Sequence, residues 1–341
     1  MKGIRAALNL ELALIVALLC MVCVFGLSFL SISIASALTK DADVITAGWL
    51  SPDPGNESPL IPPVIPGDVA AADTYWLTDG AGVITGYKLE GPGVNETIPA
   101  SIDGVPITGT AAVPTKSPWG PLPGFSKLTG SITFPASLTS IGNYAFGNCS
   151  NLTVLNLPDS ITSINQGAFR NCSGLTGTLD LPASLTSIGI GAFYGNSGLT
   201  SLNLPANLTS LGNNAFQGCS GLTGTLDLPA SLTSTGNFTF NACSNLTALN
   251  LPDSITSIGQ SAFNGCSNLT ALNYLPINLV SIGSNAFEYC PMLTGSLTIP
   301  TTTTSIGALV FYPDPNLTVR VPVAKNAWTK TYLGCGSVET Y

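Results

Sequence analysis

The chain contains no histidine. That single absence removes imidazole acid/base chemistry, the usual serine and cysteine triads, and most zinc sites. Charge is nearly as scarce. Lysine and arginine number 10 and aspartate and glutamate 18 in 341 residues, a charged share of 8%. An ordinary globular chain carries about 25%. Net charge is −8. Between Leu128 and Val319 the sole basic residue is Arg170. With no basic patch to neutralise phosphates, nucleic acid is excluded as a partner. Long apolar runs are also few. Hydrophobic residues make up 45% of the chain, yet apart from one N-terminal stretch they fall in short periodic groups.

That stretch, Leu12 to Thr39, has no charged side chain. As a helix it would span roughly 40 Å, more than the ~30 Å hydrocarbon core. It exceeds the ~7–15 apolar residues of an ordinary secretory signal. Lys2 and Arg5 precede it, which favours an inside N-terminus and an outside remainder. Glu11 stands directly before the run, a costly place for a carboxylate without a purpose. Arg5-Ala6-Ala7-Leu8-Asn9-Leu10-Glu11-Leu12 resembles the class III signal of archaeal type IV pilins. The resemblance implies cleavage between Ala6 and Ala7 and a role for Glu11 in filament assembly, with a leader at 1–6 and a filament-core or transmembrane helix at 7–40. The family more often has glycine where Ala6 stands. Ala35-Ser36-Ala37 also fits a signal-peptidase site, and an uncleaved bilayer anchor is the third reading. Cys20 and Cys23 within the run read as small apolar residues.

A linker follows, at 41–75. Between Ser51 and Asp68 it holds Pro52, Pro54, Pro59, Pro62, Pro63 and Pro66, a stiff extended spacer.

The rest is periodic. The unit Leu152-Thr-Val-Leu155-Asn-Leu157-Pro158 … Ile161-Thr-Ser-Ile164 … Ala168-Phe169-Arg-Asn-Cys172-Ser-Gly-Leu175 recurs every 23 or 24 residues. Its prolines are Pro135, Pro158, Pro182, Pro205, Pro229, Pro252, Pro276 and Pro300. Its phenylalanines are Phe146, Phe169, Phe193, Phe216, Phe240, Phe263 and Phe287, with Phe311 in a degenerate eighth unit. The extra residue of the longer units lies beside the first strand, as at Gly177 and Gly224. Leu155 and Leu157 alternate with Val154 and Asn156 as in a strand with one buried face, and Pro158 stops it. Ser160 to Ile164 reads as a second short strand with Ile161 and Ile164 inward. Ala168-Phe169 reads as a helical or 3₁₀ turn packed inside. One unit cannot bury these groups alone, so units must stack.

The Leu-Pro, Ser-Ile-Gly, Ala-Phe and Cys-Ser-x-Leu elements resemble the BspA-like leucine-rich repeat. This implies a mostly β leucine-rich-repeat solenoid with 23/24-residue repeats, short strands and 3₁₀ or helical turns, behind one long hydrophobic N-terminal α-helix. Repeats occupy 129–312. The stretch 76–128 reads as an irregular opening cap, with a proline-bearing insertion from Ala111 to Phe125 in place of the Ala-Phe turn. Residues 313–341 read as a closing cap. The family resemblance implies adhesion and protein contact rather than catalysis.

Cys149, Cys172, Cys219, Cys243, Cys266 and Cys290 share one repeat position, which Asn196 takes in another unit. Their spacing follows the repeat and not a metal-ligand pattern, and asparagine in the same place points to buried thiols rather than disulfides. Cys335, in the closing segment, reads as a capped free thiol or a cross-chain partner. No catalytic group, cofactor or metal is expected. On the first strand, Asn156, Asp180, Asn203, Asp227, Asn250, Asn273 and Thr298 form an outward file, a candidate contact face for a protein or glycan. Asp180 and Asp227 sit two rungs apart, roughly 10 Å, too wide for a retaining glycosidase pair. Thr162, Thr186, Thr209, Thr233 and Thr256 form a second file, suited to strands and to O-glycosylation. Candidate N-glycosylation sites are Asn56, Asn95, Asn148, Asn151, Asn171, Asn207, Asn237, Asn245, Asn268 and Asn316. An uncharged exported rod needs a source of solubility, which glycans would supply. The chain is therefore expected at the cell surface, as a homopolymer through its N-terminal helix or as a membrane-anchored or secreted adhesin.

Overall fold

The computed structural model describes residues 69–70, 76–87, 94–102, 105–111, 125–272, 274–325 and 327–341. They belong to one compact unit, Pro63–Tyr341. The leader, the apolar N-terminal stretch with Cys20 and Cys23, the Ser51–Asp68 spacer and the 112–124 insertion lie outside the described residues. Among the described residues no helix is long and apolar enough to cross a membrane.

The unit is a mostly β solenoid of parallel rungs, as the periodicity requires. Each rung has three sides. The first begins with strands such as Leu152–Asn156 and Leu199–Asn203. The second carries two-residue strands, Ser140–Ile141, Ser163–Ile164, Ser187–Ile188 and Ser210–Leu211, paired in parallel serine on serine. This strand is shorter than the five residues expected. Ile161 is fully buried, but it sits in the turn before the strand, closed by a hydrogen bond from the Ile161 amide to Pro158 O at 3.2 Å. Leu155 and Leu157 are only partly buried, against nearly full burial of Leu179, Leu226 and Leu249 at the equivalent place.

The third side is built from successive turns rather than a helix. In one rung Ala145, Gly147 and Cys149 donate to carbonyls three residues back. The alternating residues Tyr144, Phe146 and Asn148 donate instead to Gln166, Ala168 and Arg170 of the next rung. Half the amides close turns and half join rungs. This alternation needs a left-handed residue at two places per rung: Tyr144 and Asn148, Gly191 and Gly195, Phe238 and Ala242. Glycine fills some of these at no steric cost, while the side chains at the others carry strain.

Three of the four longer units carry the extra residue as a glycine at the start of the first strand, and in the fourth it is Tyr274, after the strand Ala271–Leu272. Gly177, Gly224 and Gly295 have positive φ, and at Gly177 and Gly224 the pairing register shifts. The first sheet is accordingly broken into short segments that start at these glycines. The extra residue is thus absorbed as a bulge.

The core is a column of phenylalanine rings. Phe146, Phe169, Phe193, Phe216, Phe240, Phe263, Phe287 and Phe311 stack with centroids 5.3 to 5.6 Å apart. Phe311 is fully buried and is a full member of the column. Phe125 extends it by one, 4.6 Å from Phe146. The opening unit therefore does supply the phenylalanine, on a 3₁₀ turn, Phe125–Lys127. Trp76 closes that end edge-on at 5.7 Å. At the other end strands Asp314–Val321 and Cys335–Thr340 pair in parallel over buried Leu333.

Ala242 holds φ +59 in an exposed turn. Ala242→Gly is predicted to raise the unfolding midpoint, by about 1 kcal/mol in stability. Gly195→Ala should lower it, since its Cβ would lie 2.5 Å from Asn171 Oδ1. Urea titration of both variants checks the pair.

Candidate functional site

Three polar files run along the solenoid. The first is the cysteine file. Its six thiols, and Cys335 outside the file in the closing segment, are all free and buried. In each rung the thiol donates to the carbonyl of the phenylalanine one rung back: Cys172 to Phe146 O at 2.9 Å, Cys219 to Phe193 O at 3.2 Å, Cys266 to Phe240 O at 3.4 Å. Asn196 makes the same bond through Nδ2, to Phe169 O at 2.9 Å. The position therefore needs a small hydrogen-bond donor. Asparagine satisfies this but leaves its Oδ1 buried without a partner. Burial pushes the Cys219 and Cys266 thiols up to about 12. Such thiols are poor nucleophiles and poor metal ligands.

The count of three from Phe311 ends at Asp314, so an aspartate replaces cysteine in the last rung. The sequence pattern holds this signal, and the cysteine search missed it. Asp314 is fully buried, and neither carboxylate oxygen has a partner. Burial raises its carboxyl to about 8. In the protonated form it can donate, as the thiols do. A cleft of about 430 Å³ opens beside it, lined also by Tyr312, Pro313 and Cys335.

The second file is the proposed contact face. Asn156, Asp180, Asn203, Asp227, Asn250 and Thr298 are all exposed, and Asn273 lies outside the described residues. Asparagine donates to the rung before: Asn156 to Thr133 Oγ1 at 2.9 Å, Asn203 to Asp180 Oδ1 at 3.4 Å, Asn250 to Asp227 Oδ1 at 2.6 Å. Each aspartate is thus engaged by an asparagine one rung on and is not paired with the other. The register carries the file past Thr298 to Arg320 and Glu339, which form an ion pair at 3.8 Å.

The third file is threonine. Thr162, Thr186, Thr209 and Thr256 each give both amide and hydroxyl to the preceding threonine carbonyl. O-glycosylation there would remove a rung-to-rung hydrogen bond.

Among the acceptor asparagines, Asn95, Asn151, Asn207, Asn237, Asn245, Asn268 and Asn316 are exposed. Asn148 and Asn171 are half-buried, and Asn171 donates to Asn148 Oδ1 at 3.0 Å. Asn56, Ala6, Ala7 and Glu11 lie outside the described residues. Among the described residues no group of three or more Cys, Asp or Glu is arranged to hold a metal.

The BspA type leucine-rich repeat region matches residues 125–224 and 191–318, with 6 copies, and the chain belongs to this family. It is similar to the solved leucine-rich repeat protein TpLRR of T. pallidum, at 30% identity over 55% of this chain and 82% of that one, TM-score 0.48. It is also similar to a leucine-rich cell surface protein of Faecalibacterium prausnitzii, at 20% identity over 81% and 95%, TM-score 0.35. The pneumococcal vaccine antigen PcpA aligns at 17% identity over 81% and 99%, TM-score 0.33. Among curated proteins nothing matches.

Asn196→Cys is predicted to stabilise the solenoid by about 1–2 kcal/mol, since it removes an unpartnered buried oxygen. Differential scanning calorimetry against wild type reads this. Raised groups favour the folded state only while protonated in both states. Stability should therefore fall as pH rises from about 4 to 8 through Asp314, and again from about 9 to 12 through Cys219 and Cys266. Asp314→Asn should flatten the first fall in a series of denaturation midpoints against pH.

Proposed function

We propose that this chain is a non-enzymatic contact protein displayed outside the cell, its repeat head binding a protein or glycan. The exposed Asn/Asp/Thr file carries this reading. It offers one hydrogen-bonding side chain per rung along the described stack, with little charge to demand a charged ligand. A flat face of that kind suits an extended, repetitive partner. Nothing in it concentrates reactivity: the aspartates are tied to asparagines, the thiols are buried, and histidine is missing.

The carrier is the N-terminal segment. Lys2 and Arg5 before an uncharged run, with proline spacing after it, fit export of the head on a stalk. The pilin-like form of this reading rests on Glu11 and the Ala6/Ala7 junction. Membrane anchoring without a filament is the alternative.

The two forms separate by mass spectrometry and negative-stain microscopy of surface material. The pilin form expects a mature start at Ala7, filaments, and their loss on Glu11→Ala. A start at Leu38 without filaments contradicts it. Intact mass above the bare polypeptide is expected if the exposed asparagines carry glycan, and equality with it removes that part.

A further inference from the structure

The strongest feature outside the three files is a cleft of about 310 Å³ on the turn side. Its walls include Tyr144, Gln166, Arg170, Ile190, Tyr194 and Asn214. These residues depart from the repeat pattern. Two positions before each phenylalanine stand Tyr144, Gly167, Gly191 and Asn214; one position after stand Gly147, Arg170, Tyr194 and Gln217. Stacking therefore sets a tyrosine, an arginine and a second tyrosine on consecutive rungs.

The site is built rather than incidental. Gly167 has φ +59, and a Cβ there would lie 2.3 Å from the Tyr144 ring, so the ring lies directly on the glycine backbone. Gln166 Nε2 donates to Tyr144 Oη at 2.7 Å and fixes the phenol. Arg170 lies over the Tyr194 ring, its Cζ 4.0 Å from the centroid. At Gly191, with φ +59, a Cβ would come no nearer than 3.8 Å to the guanidinium, and glycine keeps the floor of the cleft low.

The chemistry of the walls selects a ligand class. Arg170 is the sole cation between Leu128 and Val319, and among the described residues no acidic side chain lines the cleft. A guanidinium stacked on a ring is pre-organised to meet a carboxylate in its plane. Tyrosine faces accept the C–H faces of sugar rings, and the amides of Gln166 and Asn214 suit hydroxyls. The volume sits at the low end of the roughly 300–1,000 Å³ of ligand clefts, room for a short saccharide.

We propose that the cleft between Tyr144, Arg170 and Tyr194 binds a carboxylate-bearing sugar, a uronic or a sialic acid residue of a glycan. The inference rests on the contact-protein reading and gives it a ligand class and a place.

The test is calorimetric titration of the full-length chain with trigalacturonate and, separately, with 3′-sialyllactose. Their carboxylate-free counterparts, the trigalacturonate methyl ester and lactose, serve as controls. Binding of either acid, at least tenfold tighter than its control, is expected. Arg170→Gln should weaken it tenfold or more, Arg170→Lys by less, and Tyr194→Leu by several-fold, with unchanged circular dichroism. If Tyr194→Leu loses the native spectrum, Arg170→Gln alone decides. Failure of both acids to bind, equal binding of acids and controls, or equal binding by Arg170→Gln would overturn the proposal. So would tighter binding of hexaglutamate, which would mark a peptide site. Adhesion of the full-length chain to immobilised matrix proteins and neutral glycans, run in parallel, separates the two readings. If that persists, only the acidic-sugar site fails; if it is also absent, the contact-protein reading fails with it.

Discussion

The structure depends on one constraint: every rung must present the same side chain to the rung above and below. Phenylalanine enforces it most strongly. The rings repeat at 5.3 to 5.6 Å with planes at most 16° apart from Phe146 to Phe311. Each ring is solvated by its two neighbours, so no rung can bury its own phenylalanine. The cysteine file follows from the same constraint. A phenylalanine carbonyl carried into the core needs a donor, and a residue three positions later in the next rung supplies one from a thiol or an amide. The outer files are consequences of the inner ones. Once the rungs are in register, side chains at one repeat position hydrogen-bond along the stack, as the asparagines and threonines do.

The constraint also accounts for the tolerance of the repeat. Units of 23 and 24 residues coexist because the extra residue stays outside the core, as a bulge at a positive-φ glycine at Gly177 and Gly224 and as the exposed Tyr274 in another unit. The weakest rung shows where tolerance ends. Thr235 stands where other rungs have isoleucine or leucine, and Thr239 where they have alanine or valine. Both are buried; the Thr235 hydroxyl accepts from Gly259 N of the next rung, and the Thr239 hydroxyl donates to Gly236 O of its own turn. There the Ser-Ile sheet is interrupted, and Ser234 forms only a single bridge, to Ser257 of the following rung.

Much of this was legible in the sequence, for a physical reason. A position that recurs eight times and faces the core leaves a visible period, so the phenylalanine and cysteine files and the outward asparagines could be read directly. Features that occur once leave none. Phe125 follows a proline-glycine pair instead of alanine, and its place in the column emerges only from packing against Phe146 and Trp76. Asp314 is concealed because its residue type differs from the cysteine it replaces. The Tyr144–Arg170–Tyr194 cleft joins two different repeat positions, and the stacking order brings them to one place. The turn side was expected to hold helical or 3₁₀ turns, and bonds to carbonyls three residues back do close them. Its alternation of local and rung-to-rung bonds depends on backbone conformations that asparagine, tyrosine and alanine share there with glycine.

The rungs form one column whose thiols are sealed by their neighbours. Residue-resolved alkylation of the native full-length chain with iodoacetamide tests it most directly. Cys149, Cys172, Cys219, Cys243, Cys266 and Cys290 are expected to stay unlabelled until the chain unfolds. Phe216→Ala is expected to expose Cys219 and Cys243 first. Labelling of any ladder cysteine at the rate of a free thiol in the native chain, or its recovery as a disulfide, would contradict it.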